Sequence, residues 1–72
     1  MVIDRVKTGM RLYKAISAKT KSIRRFSIET GIAETTAHLW FKGVNMPSLD
    51  SLAIVSSFSG VKIADLIVTK EE

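Results

Sequence analysis

The side chains able to carry out a reaction in this 72-residue chain are few and scattered. His38 is the single histidine and cysteine is absent, so the sequence offers neither the ligand cluster of a zinc site nor a thiol pair. No serine, histidine and carboxylate stand at a spacing that suggests a proton relay, and no glycine-rich loop is placed to cradle a phosphate. The sequence therefore predicts no enzyme, cofactor, metal centre or small-molecule ligand. What is left is the chemistry of recognition. Between Ser22 and Asn45 the chain groups cations (Arg24, Arg25, Lys42), hydrogen-bonding side chains (Glu34, Thr35, His38, Asn45) and apolar ones (Ile23, Ile28, Leu39, Val44).

The charge is unevenly spread. Residues 1–42 hold nine Lys/Arg against three Asp/Glu, whereas residues 43–72 hold two against four, for a net charge of +4. A basic half suits an anionic partner, nucleic acid first; a lysine-solubilised helix surface is the plainer alternative. A hydrophobic fraction of 46% argues against disorder. No run approaches the ~20 apolar residues that span a bilayer. Met1–Lys7 lacks the apolar segment of a signal peptide, so a cytoplasmic location is expected.

The elements that would position these residues read as helices. Asp4 is a suitable N-cap for a first helix to about Ala18, with Val6, Gly9, Leu12, Ala15 and Ile16 as its buried stripe. Ser22 caps a second helix, with Phe26 and Ser27 inward, and Gly31 suits the left-handed residue that ends it. A third runs over roughly Glu34–Lys42, with Ala37 and Trp40 inward and Gly43 as its stop. Pro47 and Ser48 open a fourth, striped by Leu49, Leu52, Val55 and Phe58 and ended by Gly60. Ile63, Leu66 and Ile67 mark a short fifth. Residues 69–72 read as a flexible tail, and no strand is expected. The prediction is an all-α, compact five-helix single domain over 1–72.

Phe26-Ser27, Gly31-Ile32, Ala37, Trp40, Gly43, Pro47-Ser48-Leu49 and Gly60-Val61, taken in register, resemble the lambda-repressor-like (Cro-type) helix-turn-helix family, from about Gly9 to Ile67. The resemblance implies a helix-turn-helix at about 22–42 whose second helix enters the major groove. Length and basic N-terminal half are similar to Cro proteins and to the modulator-of-repression proteins of temperate phages. Against the family pattern, Ile23 stands where a phosphate-binding Gln is usual, and Ala33 where a Ser or Thr cap is usual. The base-reading positions match Glu34, Thr35 and Leu39. Groove reading favours Arg or Lys for guanine and Asn or Gln for adenine, yet the chain has no Gln, and its single Asn, Asn45, follows the helix. Ile16 and Phe41 match a pair of positions that often hold a buried Arg–Glu bridge; both are expected to be largely buried and in contact.

Three functions follow as expectations. The first is a phage-type transcription regulator of a lysis–lysogeny switch in the bacterial host cytoplasm. It acts as an antirepressor, its helix-turn-helix face binding the DNA-binding domain of a partner repressor, with weak DNA binding at most. The site would comprise Ile23, Arg24, Arg25, Ile28, Glu34, Thr35, His38, Leu39, Lys42, Val44 and Asn45. The alternative is a Cro-like repressor that binds double-stranded operator DNA directly. A DNA-binding antitoxin ranks below both, since the chain shows no toxin-binding extension.

Overall fold

Asp4 starts the longest helix by accepting a hydrogen bond from the Lys7 backbone N–H at 3.0 Å. The structure, a computed structural model, describes residues 1–71. Among them are five helices: α1 (Arg5–Lys19), α2 (Ile23–Thr30), α3 (Glu34–Phe41), α4 (Leu49–Ser59) and α5 (Ile63–Leu66). Ser22 caps α2 by accepting from the Arg25 N–H, and Ser48 caps α4 by accepting from the Ser51 N–H, each at 3.2 Å. Each bond satisfies an N–H that has no partner within its own helix. Ala33, before α3, makes no such side-chain bond.

Two helix ends are built alike. The Thr30 hydroxyl donates to Phe26 O at 2.7 Å and accepts from Ile32 N at 3.2 Å, around a left-handed Gly31. The Ser59 hydroxyl donates to Val55 O at 2.8 Å and accepts from Val61 N at 3.2 Å, around a left-handed Gly60. In both, a hydroxyl, a glycine and a branched apolar residue turn the chain inward. The hydroxyl ties the last helical turn to the residue beyond the glycine.

α1 lies at the centre and packs against α3, α4 and α5, while α2 packs on α3. The core is formed by Leu12, Ala15 and Ile16 of α1, Phe26 of α2, Ile32, Ala37 and Trp40, Leu52 and Val55 of α4, and Leu66 of α5. Phe26 also meets Phe58 edge to face, with ring centroids 5.1 Å apart; this geometry adds about 0.5–1.5 kcal/mol beyond area burial.

Several expectations are corrected. Val6 is exposed, and Thr8 takes its place in the buried stripe of α1. Leu49 is exposed as well: although its spacing from Leu52 is helical, it is the first residue of α4, at the end of the helix. A short antiparallel sheet joins β1 (Val2–Ile3) to β2 (Thr69–Lys70), with Val2 opposite Lys70 and Ile3 opposite Thr69. The expected flexible tail is therefore a strand over its first two residues; its end at residue 72 lies outside the described residues. Thr8 explains the docking. Its buried hydroxyl donates to Val68 O at 3.2 Å and accepts from Val68 N at 2.9 Å, and Asp4 N donates to the same carbonyl at 2.7 Å.

Gly9 sets the distance between α1 and α3. A Cβ placed there would collide with the backbone oxygens of Trp40 and Phe41. Alanine is a better helix former than glycine by roughly 1 kcal/mol, but here two backbones would have to move apart. We predict that Gly9→Ala destabilises the fold by about 1–3 kcal/mol, read as a lower urea midpoint. A raised midpoint would refute the close crossing.

Candidate functional site

Two helical strips face solvent on the α2–α3 pair. On α2 these are Arg24, Arg25, Ile28 and Glu29; on α3 they are Glu34, Thr35, His38 and Leu39, continued by Lys42. Both follow from helical spacing. Phe26 on α2, and Ala37 and Trp40 on α3, turn into the core and carry the opposite faces outward. Gly31 and the Thr30 hydroxyl join the pair.

Most of the expected residues are found on this surface. Ile28 is 74% exposed and Leu39 is 36% exposed. Val44 and Asn45 are exposed and sit beside Leu39, because both of their N–H groups point to Leu39 O, at 3.0 and 3.4 Å. The left-handed Gly43 permits that reversal. It also brings the end of α3 over the start of α1, where the Arg5 guanidinium approaches Val44 O at 3.5 Å.

Ile23 departs from expectation. It is half-buried and packs against the core, so it contributes little to an exposed apolar patch. It stands three residues before Phe26, on the same side of α2, and is drawn inward with it. Arg25 is also less available than expected, since its Nε lies 3.3 Å from Glu29 Oε2. Both groups are well exposed, so this i,i+4 pair is worth at most about 0.5 kcal/mol. Its main effect is to lower the positive field along α2. Glu29 was legible by spacing as a neighbour of Arg25, but it is not among the expected site residues.

Phe41 is the second departure. Ile16 is fully buried, but Phe41 is half-buried and packs on the core from its edge. Its ring meets Tyr13 edge to face at 5.2 Å and His38 edge to face at 5.9 Å. The aromatic chain Tyr13–Phe41–His38 therefore links the outer surface of α1 to the exposed strip of α3. Tyr13 and Met10 were missed as surface residues. The signal was present: Val6, Met10 and Tyr13 recur at i, i+4 and i+7, a second apolar stripe on α1.

The arrangement can present hydrogen bonds, a few cations and isolated aliphatic groups to a macromolecular surface. Among the described residues no group of three His, Cys, Asp or Glu side chains could hold a metal ion, and no helix is long and apolar enough to cross a membrane. Comparison with protein-family models, with curated proteins and with solved structures returns no match.

Because Phe41 is only half-buried, truncating it leaves less of a cavity than removing an interior ring. Phe41→Ala should cost about 2 kcal/mol, below the ~3–5 kcal/mol of a fully buried phenylalanine. Thermal or urea unfolding measures this; a loss near the upper figure would place the ring in the core.

Proposed function

We propose that this chain is a small helix-turn-helix transcription regulator of a phage lysis–lysogeny switch, working in the bacterial cytoplasm as an antirepressor. Its α2–α3 surface binds the DNA-binding domain of a partner repressor and keeps that domain from its operator. The observation that carries this reading is the makeup of the exposed strip on α3. Glu34, Thr35, His38 and Leu39 face outward, with no Arg, Lys, Asn or Gln before Lys42 at the helix exit. Side chains that read base edges by paired hydrogen bonds are missing where a groove-reading helix needs them. Glu34, at the first position, repels phosphate. Exposed Ile28 and Leu39, each set among polar side chains, suit apolar contact points of a protein interface. The resemblance to lambda-repressor-like domains supplies the context of a repressor partner.

Direct operator binding, as in Cro, is the second reading. It is favoured by one observation: Arg24 and Lys42 are exposed at either end of the α2–α3 pair, and among the described residues neither makes an ion pair. Such cations hold phosphates, which position a protein on DNA without reading sequence.

Two measurements separate the readings. Leu39→Asp and Ile28→Asp each bury an unpaired charge in the proposed interface. Both should keep the helical circular dichroism of the parent and weaken calorimetric binding to the DNA-binding domain of the proposed partner repressor by at least about tenfold. Undiminished binding by both folded variants would discard this surface as the contact. For DNA, a gel shift with the chain alone should give weak, poorly selective binding that falls steeply with added salt, as phosphate contacts release counterions. Tight binding of one short operator at physiological salt, sensitive to single base changes, would favour the Cro-like reading.

A further inference from the structure

We propose that the outer face of α1 is a second docking site, distinct from the α2–α3 surface, for an acidic amphipathic segment of another protein. α1 is apolar on two sides. One side is the core stripe. The other carries Val6, Met10 and Tyr13, all exposed, with Met10 at 62% and Tyr13 at 54%. Phe41 adds its half-buried ring from the end of α3, held against Tyr13. Met10, Tyr13, Phe41 and Val68 give a shallow groove an apolar floor. A helix apolar on two faces has a second face to cover.

The rim names the chemistry of the occupant. Lys7, Arg11 and Lys14 recur at i, i+4 and i+7 along the groove, and no Asp or Glu lines it. Among the described residues none of the three forms an ion pair. Arg11 is fixed in place by donating to the Asp65 backbone oxygen at 2.9 Å. A row of cations beside a row of apolar side chains at helical spacing is complementary to a segment with Leu or Phe anchors on one face and carboxylates beside them. Methionine and tyrosine adapt well to such anchors.

Other occupants fit less well. A second copy meeting this face antiparallel would set each Lys7–Arg11–Lys14 row against the same row, like charge on like. DNA phosphates would use the cations but leave exposed Met10 and Tyr13 without a role.

The probe is a synthetic peptide of about four helical turns, with Leu and Phe at i, i+3 and i+7 and Glu between them. It is titrated into the full chain by nuclear magnetic resonance and fluorescence anisotropy. Binding should shift the Met10 methyl and the Tyr13 and Phe41 ring signals. It should weaken at least about tenfold with Lys in place of Glu in the peptide, and likewise in Tyr13→Ser and in the doubly substituted Lys7→Glu, Lys14→Glu chain. These positions are exposed, so circular dichroism should be unchanged. Leu39→Asp should bind the peptide as the parent does, which keeps this test separate from the antirepressor reading. The proposal is overturned by no binding, by equal binding of a Glu peptide lacking Leu and Phe, by duplex DNA displacing the peptide with shifts at the same side chains, or by those signals shifting with chain concentration alone.

Discussion

The crossing of α1 over the end of α3 is the constraint on which the rest of the molecule depends. Gly9 has no side chain, and the carbonyls of Trp40 and Phe41 occupy the space a Cβ would need. Two backbones therefore approach closely, and the flanking side chains must fit that distance. Trp40 goes inward to meet Leu12 and Ile16 in one cluster, and Phe41 is left at the edge against Tyr13. A second close approach supports the first: Gly43 passes against the backbone of Arg5 and Val6. With both ends of this contact held by glycine, α3 cannot slide along α1, and its outer strip keeps a defined direction.

Around that crossing the structure ties its ends by hydroxyl groups. Thr30 and Ser59 close the C-termini of α2 and α4, and Thr8 bonds both backbone groups of Val68. In a chain of 72 residues without cysteine, the apolar core is small and each element near an end needs its own anchor. Buried Thr8 gives such an anchor, since its donor and acceptor are both satisfied and none of the cost of an unmet polar group remains. The short sheet between β1 and β2 follows from it: once Val68 is held over α1, residues 69–70 lie beside the N-terminal strand.

The molecule thus presents two outer surfaces of different character. The α2–α3 surface alternates hydrogen-bonding groups with isolated Ile28 and Leu39, and Glu29 and Glu34 reduce its positive field. The outer face of α1 sets exposed apolar side chains beside a cationic row that makes no ion pair among the described residues. They meet at His38, whose ring rests against Phe41. Most of the basic charge of the N-terminal half lies on or near α1, so the excess charge does not coincide with the exposed strip of α3.

Helix identity and limits were legible in the sequence because they are local. Asp4, Ser22 and Ser48 are caps, and Gly31, Gly43 and Gly60 all adopt positive φ; these roles depend on neighbours a few residues away. The inward positions of Leu12, Ile16, Phe26, Ala37, Trp40, Leu52 and Val55 were legible too, since helical periodicity alone selects them. Of the candidate site, the exposed strip of α3 could be read by the same rule. Tertiary structure decided what periodicity leaves open. Thr8 rather than Val6 is buried, because the C-terminal segment sits on that side of α1. Phe41 stops at the rim of the core, because the Gly9 crossing sets how much room lies between α1 and α3. The strand at Thr69–Lys70 exists only because its partner, 67 residues earlier, is brought beside it, a pairing no local pattern encodes.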